Sequence, residues 1–162
     1  MGESVDKWNM DMFRGLHHVS VDAKGRMSLP ARLREELVQY DDAKVVVTID
    51  PMSRCLLMYP LSEWEVIQEK LDKLPSFQPQ ARKLQRLLVG HATDLEIDSA
   101  GRILLPAPLR DFSQLEKKVA LLGQGKKIEI WSQSNWEAQR EAYLDLSSID
   151  EQQLESLMDI SL

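Results

Sequence analysis

Apolar and polar residues alternate in two stretches of the chain, Val19 and Val21 ahead of Asp22, and Leu95 and Ile97 ahead of Asp98. A period of two predicts a strand with one buried face in each. Each Asp then opens a turn in which its carboxylate takes backbone N–H groups, and Gly25 or Gly101 supplies a positive φ without a Cβ penalty. Second strands follow at Arg26 to Leu29 and Arg102 to Leu105, and Pro30 and Pro106 suit the first turn of a short helix. The first of these helices runs from Ala31 to about Val38 with Leu33 and Leu37 inward, and Pro108 makes its counterpart shorter.

A β-rich pair comes next in each stretch: Lys44 to Asp50 with Leu56 to Tyr59, then Lys118 to Leu122 with Lys127 to Trp131, where Gly123 and Gly125 mark a tight hairpin. Ser62 and Ser134 read as helix N-caps, with Glu65 and Glu137 completing capping boxes. Trp64, Ile67, Leu71 and Leu74 form an apolar helical stripe. Pro75 to Pro79 breaks the chain, and Ala81 to Val89 predicts a linking helix with Leu84, Leu87 and Leu88 buried and Arg82, Lys83 and Arg86 outward. Beyond Asp145, Ile149 to Leu162 fits either an amphipathic helix or a frayed acidic tail.

These stretches are two copies of one unit. Asp22-Ala23-Lys24-Gly25-Arg26, Leu29-Pro30-Ala31 and Leu33-Arg34 recur 76 positions later as Asp98-Ser99-Ala100-Gly101-Arg102, Leu105-Pro106-Ala107 and Leu109-Arg110. Ser62-Glu63-Trp64-Glu65 recurs 72 positions later as Ser134-Asn135-Trp136-Glu137. The resulting division is an N-terminal extension over 1–11, repeat one over 12–74, a linker and linking helix over 75–90, repeat two over 91–146, and an acidic tail over 147–162. One copy has too little core to stand alone, so interleaving the two into one closed, pseudo-symmetric β-core, with both turns near each other on one edge, is the expected solution.

The 162 residues are 43% hydrophobic and 28% charged, as in globular domains. No apolar run approaches the roughly 18 residues of a membrane span, so a membrane role is not expected. Met1 to Met12 lacks the basic start and apolar run of a secretory signal, Asp6 stands where a myristoylation site needs Ser or Thr, and the lone Cys55 allows no internal disulfide. A cytoplasmic location is the expectation. A net charge of −6 argues against nucleic acid, but its distribution does not: Phe13 to Arg34 carries five cations (Arg14, Lys24, Arg26, Arg32, Arg34) against Asp22, whereas Glu141 to Leu162 has six anions and no cation.

Candidate chemistry follows that asymmetry. Arg26 beside Lys24, with Arg14 expected nearby, forms a cluster able to meet phosphates and to offer one Arg to a guanine edge. The competing reading is a surface ion pair between Arg26 and Asp22 across the turn. In copy two Ala100 replaces Lys24, so Arg102 is expected to be structural or a secondary phosphate contact. Asp22, Gly25, Asp98 and Gly101 are the turn-forming residues. His17, His18 and His91 lack metal-ligand spacing, Ser28 has no nucleophile elbow, and no phosphate-loop or dinucleotide fingerprint occurs, so neither metal, cofactor nor enzymatic activity is expected.

Met12-Phe13-Arg14-Gly15, the doubled Asp-to-Arg motif, Leu87-Leu88-Val89-Gly90-His91-Ala92 and the tryptophan-bearing helix starts closely resemble the MraZ family of bacterial transcriptional regulators, with two domains of the SpoVT/AbrB type. The resemblance implies a β-rich α+β fold of two tandem swapped-hairpin β-domains, forming a pseudo-symmetric, β-barrel-like core with peripheral helices. It also implies a ring-shaped homo-oligomer, an octamer or larger among the forms, bound at the nucleoid to direct repeats in double-stranded promoter DNA and repressing its own division and cell-wall gene cluster. The rival from another class is a ring-forming protein-interaction scaffold that contacts its partner through the acidic tail.

Overall fold

The computed structural model describes residues 13–145, 147, 150–158 and 160. The N-terminal extension and Met12 lie outside the described residues, as do 148, 149, 159, 161 and 162 of the acidic tail. Repeat one comprises β1 (Phe13–Ser20), β2 (Arg26–Ser28), α1 (Ala31–Asp41), β3 (Lys44–Ile49), β4 (Leu56–Pro60) and α2 (Leu61–Asp72). A linking helix, α3 (Pro79–Leu84), runs on into a π-helical turn at Gln85–Val89. Repeat two comprises β5 (Thr93–Glu96), β6 (Arg102–Leu104), α4 (Ala107–Ser113), β7 (Lys118–Gly125), β8 (Ile128–Ser132) and α5 (Gln133–Leu144), and a final helix α6 spans Glu151–Leu157.

The copies exchange strands. The large sheet runs β1-β7-β8-β4-β3-β5, so the first strand of each repeat lies along the hairpin of the other. In β2 against β6, Met27 faces its repeat mate Ile103; in β4 against β8, Leu57 faces its mate Glu129. Both registers are therefore centred on one pseudo-twofold axis. Although the strands interleave, the pairings do not close a barrel: β1 and β5 stand at the two edges of an open six-stranded sheet, with the β2–β6 ribbon as a separate layer.

Strand alternation divides the sheet into two packed faces. Val45, Val47, Met58, Leu121 and Ile130 project to one side and meet Met27 and Ile103 of the ribbon with Leu33, Leu37 and Leu109 of α1 and α4, all buried in one cluster. Truncating one of these core residues to Ala would cost roughly 2–5 kcal/mol. Val46, Leu57 and Tyr59 project to the other side against Trp64 and Leu71 of α2, and Ala120 and Trp131 form a smaller cluster with Trp136 of α5. The ribbon is thus held by its inward residues, which leaves its outer face free for other work.

Local details differ from the sequence reading. Pro30 and Pro106 occupy the N-cap positions of α1 and α4, one residue before the first helical turn, and Pro108 lies inside the shorter α4. Neither predicted capping box forms. Asp41, at the end of α1, accepts from the Ser62 backbone N (3.0 Å) and Oγ (2.9 Å) and so caps α2 from outside its sequence. In α5 the cap is Ser132, whose hydroxyl accepts from Asn135 N at 3.1 Å. Leu84 is exposed and Ala81 is the buried residue of the linking helix. A tertiary contact accompanies that change: Thr48 Oγ1 donates to the Leu88 carbonyl at 2.6 Å, at the π-helical turn. Gly125 (φ +78°) opens the β7–β8 turn, but Gly123 lies within β7 opposite Gly15. A Cβ at Gly123 would strike the Arg14 backbone of β1.

Candidate nucleic-acid interface

Each Asp turn is held in the same way. Asp22 Oδ1 accepts from the backbone N of Lys24 and of Arg26, both at 2.9 Å, while Oδ2 accepts from Arg26 Nε at 2.8 Å. Asp98 Oδ1 accepts from Ala100 N and Arg102 N at 2.9 Å, and Oδ2 from Arg102 Nε at 3.3 Å. These bonds, the backbone N–H of Arg26 or Arg102 first, hold both carboxyls below the usual carboxylate range. The ion pair offered by the competing sequence reading is therefore present in both copies. It engages only Nε, however, so the carboxylate orients each guanidinium while its two Nη groups remain available for a bidentate contact.

The ribbon brings the two arginines onto one face. Gly25 O accepts from Leu105 N at 2.8 Å and Gly101 O from Leu29 N at 2.9 Å, so the turns sit at opposite ends of a short antiparallel ribbon. Arg26 is opposite Leu104 and Ser28 opposite Arg102. With Met27 and Ile103 buried beneath, these four residues form the outward surface. Arg26 and Arg102 are diagonal neighbours in this register, a relation that places residues roughly 7–8 Å apart. A two-stranded ribbon is one of the elements that a DNA major groove admits.

Arg14 does not join this group. It lies at the start of β1 opposite Gln124, at the far end of the strand from the Asp22 turn. Eight residues of extended chain separate the two, roughly 25 Å at 3.3 Å per residue. The expected three-cation cluster is replaced by another, assembled by the strand exchange. Arg110 of repeat two lies against Gly25, where an added Cβ would sit 2.8 Å from its Nε, and that Nε donates to Leu105 O at 3.0 Å. Lys118 pairs with Ser20, and Lys117 O accepts from Val21 N at 2.9 Å. The surroundings of the first turn thus hold four cations (Lys24, Arg26, Arg110, Lys117) against Asp22 and Glu116, while Lys118 falls on the Ala120 face of β7, away from the ribbon, where it lines a groove with Glu137 of α5.

Around the second turn Arg34 takes the place of Arg110, lying against Gly101, so this residue of the basic head serves the opposite copy. Ile97 N donates to Ala43 O at 2.9 Å and Lys44 pairs with Glu96. Position for position, Lys117 becomes Ala43 and Lys24 becomes Ala100, leaving Arg102 and Arg34 against Asp98 and Asp42, while the Lys44–Glu96 pair falls on the α2 face of the sheet. Arg110, Lys117 and Leu104 were not singled out as candidate site residues by the sequence reading. The repeat offset pairs Arg110 with Arg34, but only the strand exchange says which turn each one serves.

Elsewhere, Asp50, Cys55 and Glu129 bring one donor atom each within 4.8 Å of one another. The group is internally engaged: Cys55 Sγ donates to Asp50 Oδ2 at 3.6 Å, Glu129 accepts from Trp131 Nε1 at 2.9 Å, and burial pushes the thiol well above its usual range. Among the described residues, no helix is long and apolar enough to cross a membrane.

Comparison with known proteins agrees with the doubled architecture. The model of the MraZ protein family, which carries an antitoxin-like description, matches residues 12–87 and again 88–157. A transcriptional regulator MraZ of Marinomonas sp. is 76% identical over 151 residues, 93% of this chain and 100% of that protein. Namesakes from Alkalilimnicola ehrlichii (54% identity, 83% of this chain, 89% of that protein) and Hydrogenovibrio crunogenus (49%, 94% and 100%) are similar across most of their lengths.

Proposed function

The chain belongs to the MraZ family and is a transcriptional regulator, and from that premise we propose that it binds double-stranded promoter DNA sequence-specifically through the outer face of the β2–β6 ribbon. The observation that carries this reading is the Arg26 guanidinium, held by Asp22 through Nε at 2.8 Å beside three further cations, with its Nη groups free of that contact. In this role Arg26 takes a guanine O6/N7 edge, a contact worth roughly 1–3 kcal/mol of discrimination. Lys24, Arg110 and Lys117 meet the flanking phosphates and set the register. Arg102 is a weaker second contact. Arg14, remote from the ribbon, is left at most a phosphate contact outside this cluster.

One ribbon offers few contacts, so the reading includes a ring of identical chains, each built from SpoVT/AbrB-type halves, in which contacts after the first are effectively intramolecular. Direct repeats upstream of the chain's own division and cell-wall operon are the proposed target and repression at the nucleoid the proposed outcome. The test is a gel shift on that upstream DNA with wild type and Arg26→Ala. Loss of binding with unchanged circular dichroism and particle size supports the reading. Binding that survives the substitution, or no preference over a scrambled duplex, refutes it.

A further inference from the structure

The outward face of the ribbon is not symmetric, although the backbone beneath it is. Leu104 and Ser28 are repeat mates, yet one is an apolar side chain left 56% exposed and the other a hydroxyl. Arg26 lies opposite Leu104, and Arg102 lies opposite Ser28. A single exposed leucine is ordinary on a protein surface. This one stands at the Arg26 end of a polar ribbon face, beside the arginine with the most cationic surroundings, and its own inward neighbours Ile103 and Leu105 are buried.

We propose that Leu104 is a specificity-determining residue that packs on the C5-methyl of a thymine adjacent to the guanine taken by Arg26, an assignment that rests on the DNA-binding reading above. Opposite residues on one face of an antiparallel pair have Cβ atoms roughly 4.5–5.5 Å apart, between one and two of the roughly 3.4 Å base steps of a strand. Arg26 and Leu104 therefore reach neighbouring base pairs. Apolar side chains read thymine through its methyl group, whereas Ser contacts either base. The Arg102 and Ser28 end then lacks a methyl reader, and the box that fits this ribbon is non-palindromic: a guanine–thymine step at one end and a less constrained step at the other. The unlike mates thus fix the orientation of each subunit on the DNA, as direct repeats require.

The test replaces thymine by deoxyuridine throughout the upstream duplex, which removes only the methyl groups, and compares wild type, Leu104→Ser and Ser28→Ala by titration at one salt concentration. Wild type should bind the deoxyuridine duplex at least about fourfold more weakly, the loss that one buried methyl-sized group implies. Leu104→Ser should bind both duplexes equally, at about the affinity of wild type for the deoxyuridine form, while Ser28→Ala keeps the discrimination. Equal wild-type affinity for the two duplexes, with Arg26→Ala still abolishing binding, overturns the role of Leu104 and leaves the DNA-binding reading standing. Persistent discrimination by Leu104→Ser, or loss of assembly by that variant as its only effect, overturns it equally. Failure of wild type to prefer the thymine duplex over a scrambled one removes both readings together.

Discussion

The two Asp turns share a backbone, a hydrogen-bond scheme and an arginine, yet they stand in different electrical surroundings. Around the first, Lys24, Arg26, Arg110 and Lys117 gather with two carboxylates, and around the second two cations meet two. The difference shows how a duplicated unit can divide labour. The internal bonds of the turn maintain the fold in both copies, while the ring of residues around it, contributed largely by the other copy, decides which one faces a polyanion.

Several variants break or sharpen that comparison. The largest separation is expected between Arg26→Ala and Arg102→Ala. If the first turn is the principal reader, the former removes promoter binding and the latter leaves affinity at least about tenfold higher, a gap of roughly 1.4 kcal/mol; equal losses in a titration would make the turns equivalent. Gly25→Ala and Gly101→Ala come next. Both place a side chain at positive φ (+89° and +79°), a strain of roughly 1–3 kcal/mol. At Gly25 the new Cβ also lies 2.8 Å from the Leu105 backbone oxygen, whereas at Gly101 it meets only the Arg34 side chain, which can move aside. Chemical denaturation should therefore find Gly25→Ala the less stable protein.

A smaller effect concerns salt. Replacing Lys117 by Ala should flatten the dependence of log K on log salt by up to roughly 0.9 per engaged subunit, at about 0.9 per lost phosphate contact, while Lys118→Ala and Lys44→Ala leave the slope unchanged. The smallest effect concerns acid. Asp22 and Asp98 are held below their ordinary value of 3.8 in the folded protein, chiefly by backbone N–H groups. Their stabilisation is therefore complete above that value and lost as pH falls through the lowered folded values. Melting temperature against pH should drop along this acid limb in the wild type and drop less steeply in the Asp22→Asn, Asp98→Asn double variant. An unchanged limb would mean that the two carboxyls do not contribute.

Much of this was legible in the residues. The period-two stretches, the Asp and Gly of each turn, and Leu33, Leu37, Trp64 and Leu71 as core residues all follow from local rules, because burial of a strand face or helix stripe is written in its own spacing. The failures share one cause. Ser62 and Ser134 look like caps in sequence, but Asp41 and Ser132 do the capping, because Asp41 reaches α2 from a helix twenty-one positions away and α5 starts directly at the end of β8. Arg14 looks near Arg26 when the chain is read linearly, and a straight strand carries it away.

From its sequence alone this protein is a doubled, turn-bearing β-unit with a basic first half, since repeats, alternation and turn chemistry act over a few residues and leave their mark on the chain. The interleaving of the halves was expected, but only the tertiary structure decided that it leaves an open sheet with β1 and β5 at its edges, that Arg110 guards the first turn while Arg34 guards the second, and that Leu104 stands opposite Arg26. Those are relations between residues of different repeats, and no local preference encodes which of two equivalent partners a strand will choose.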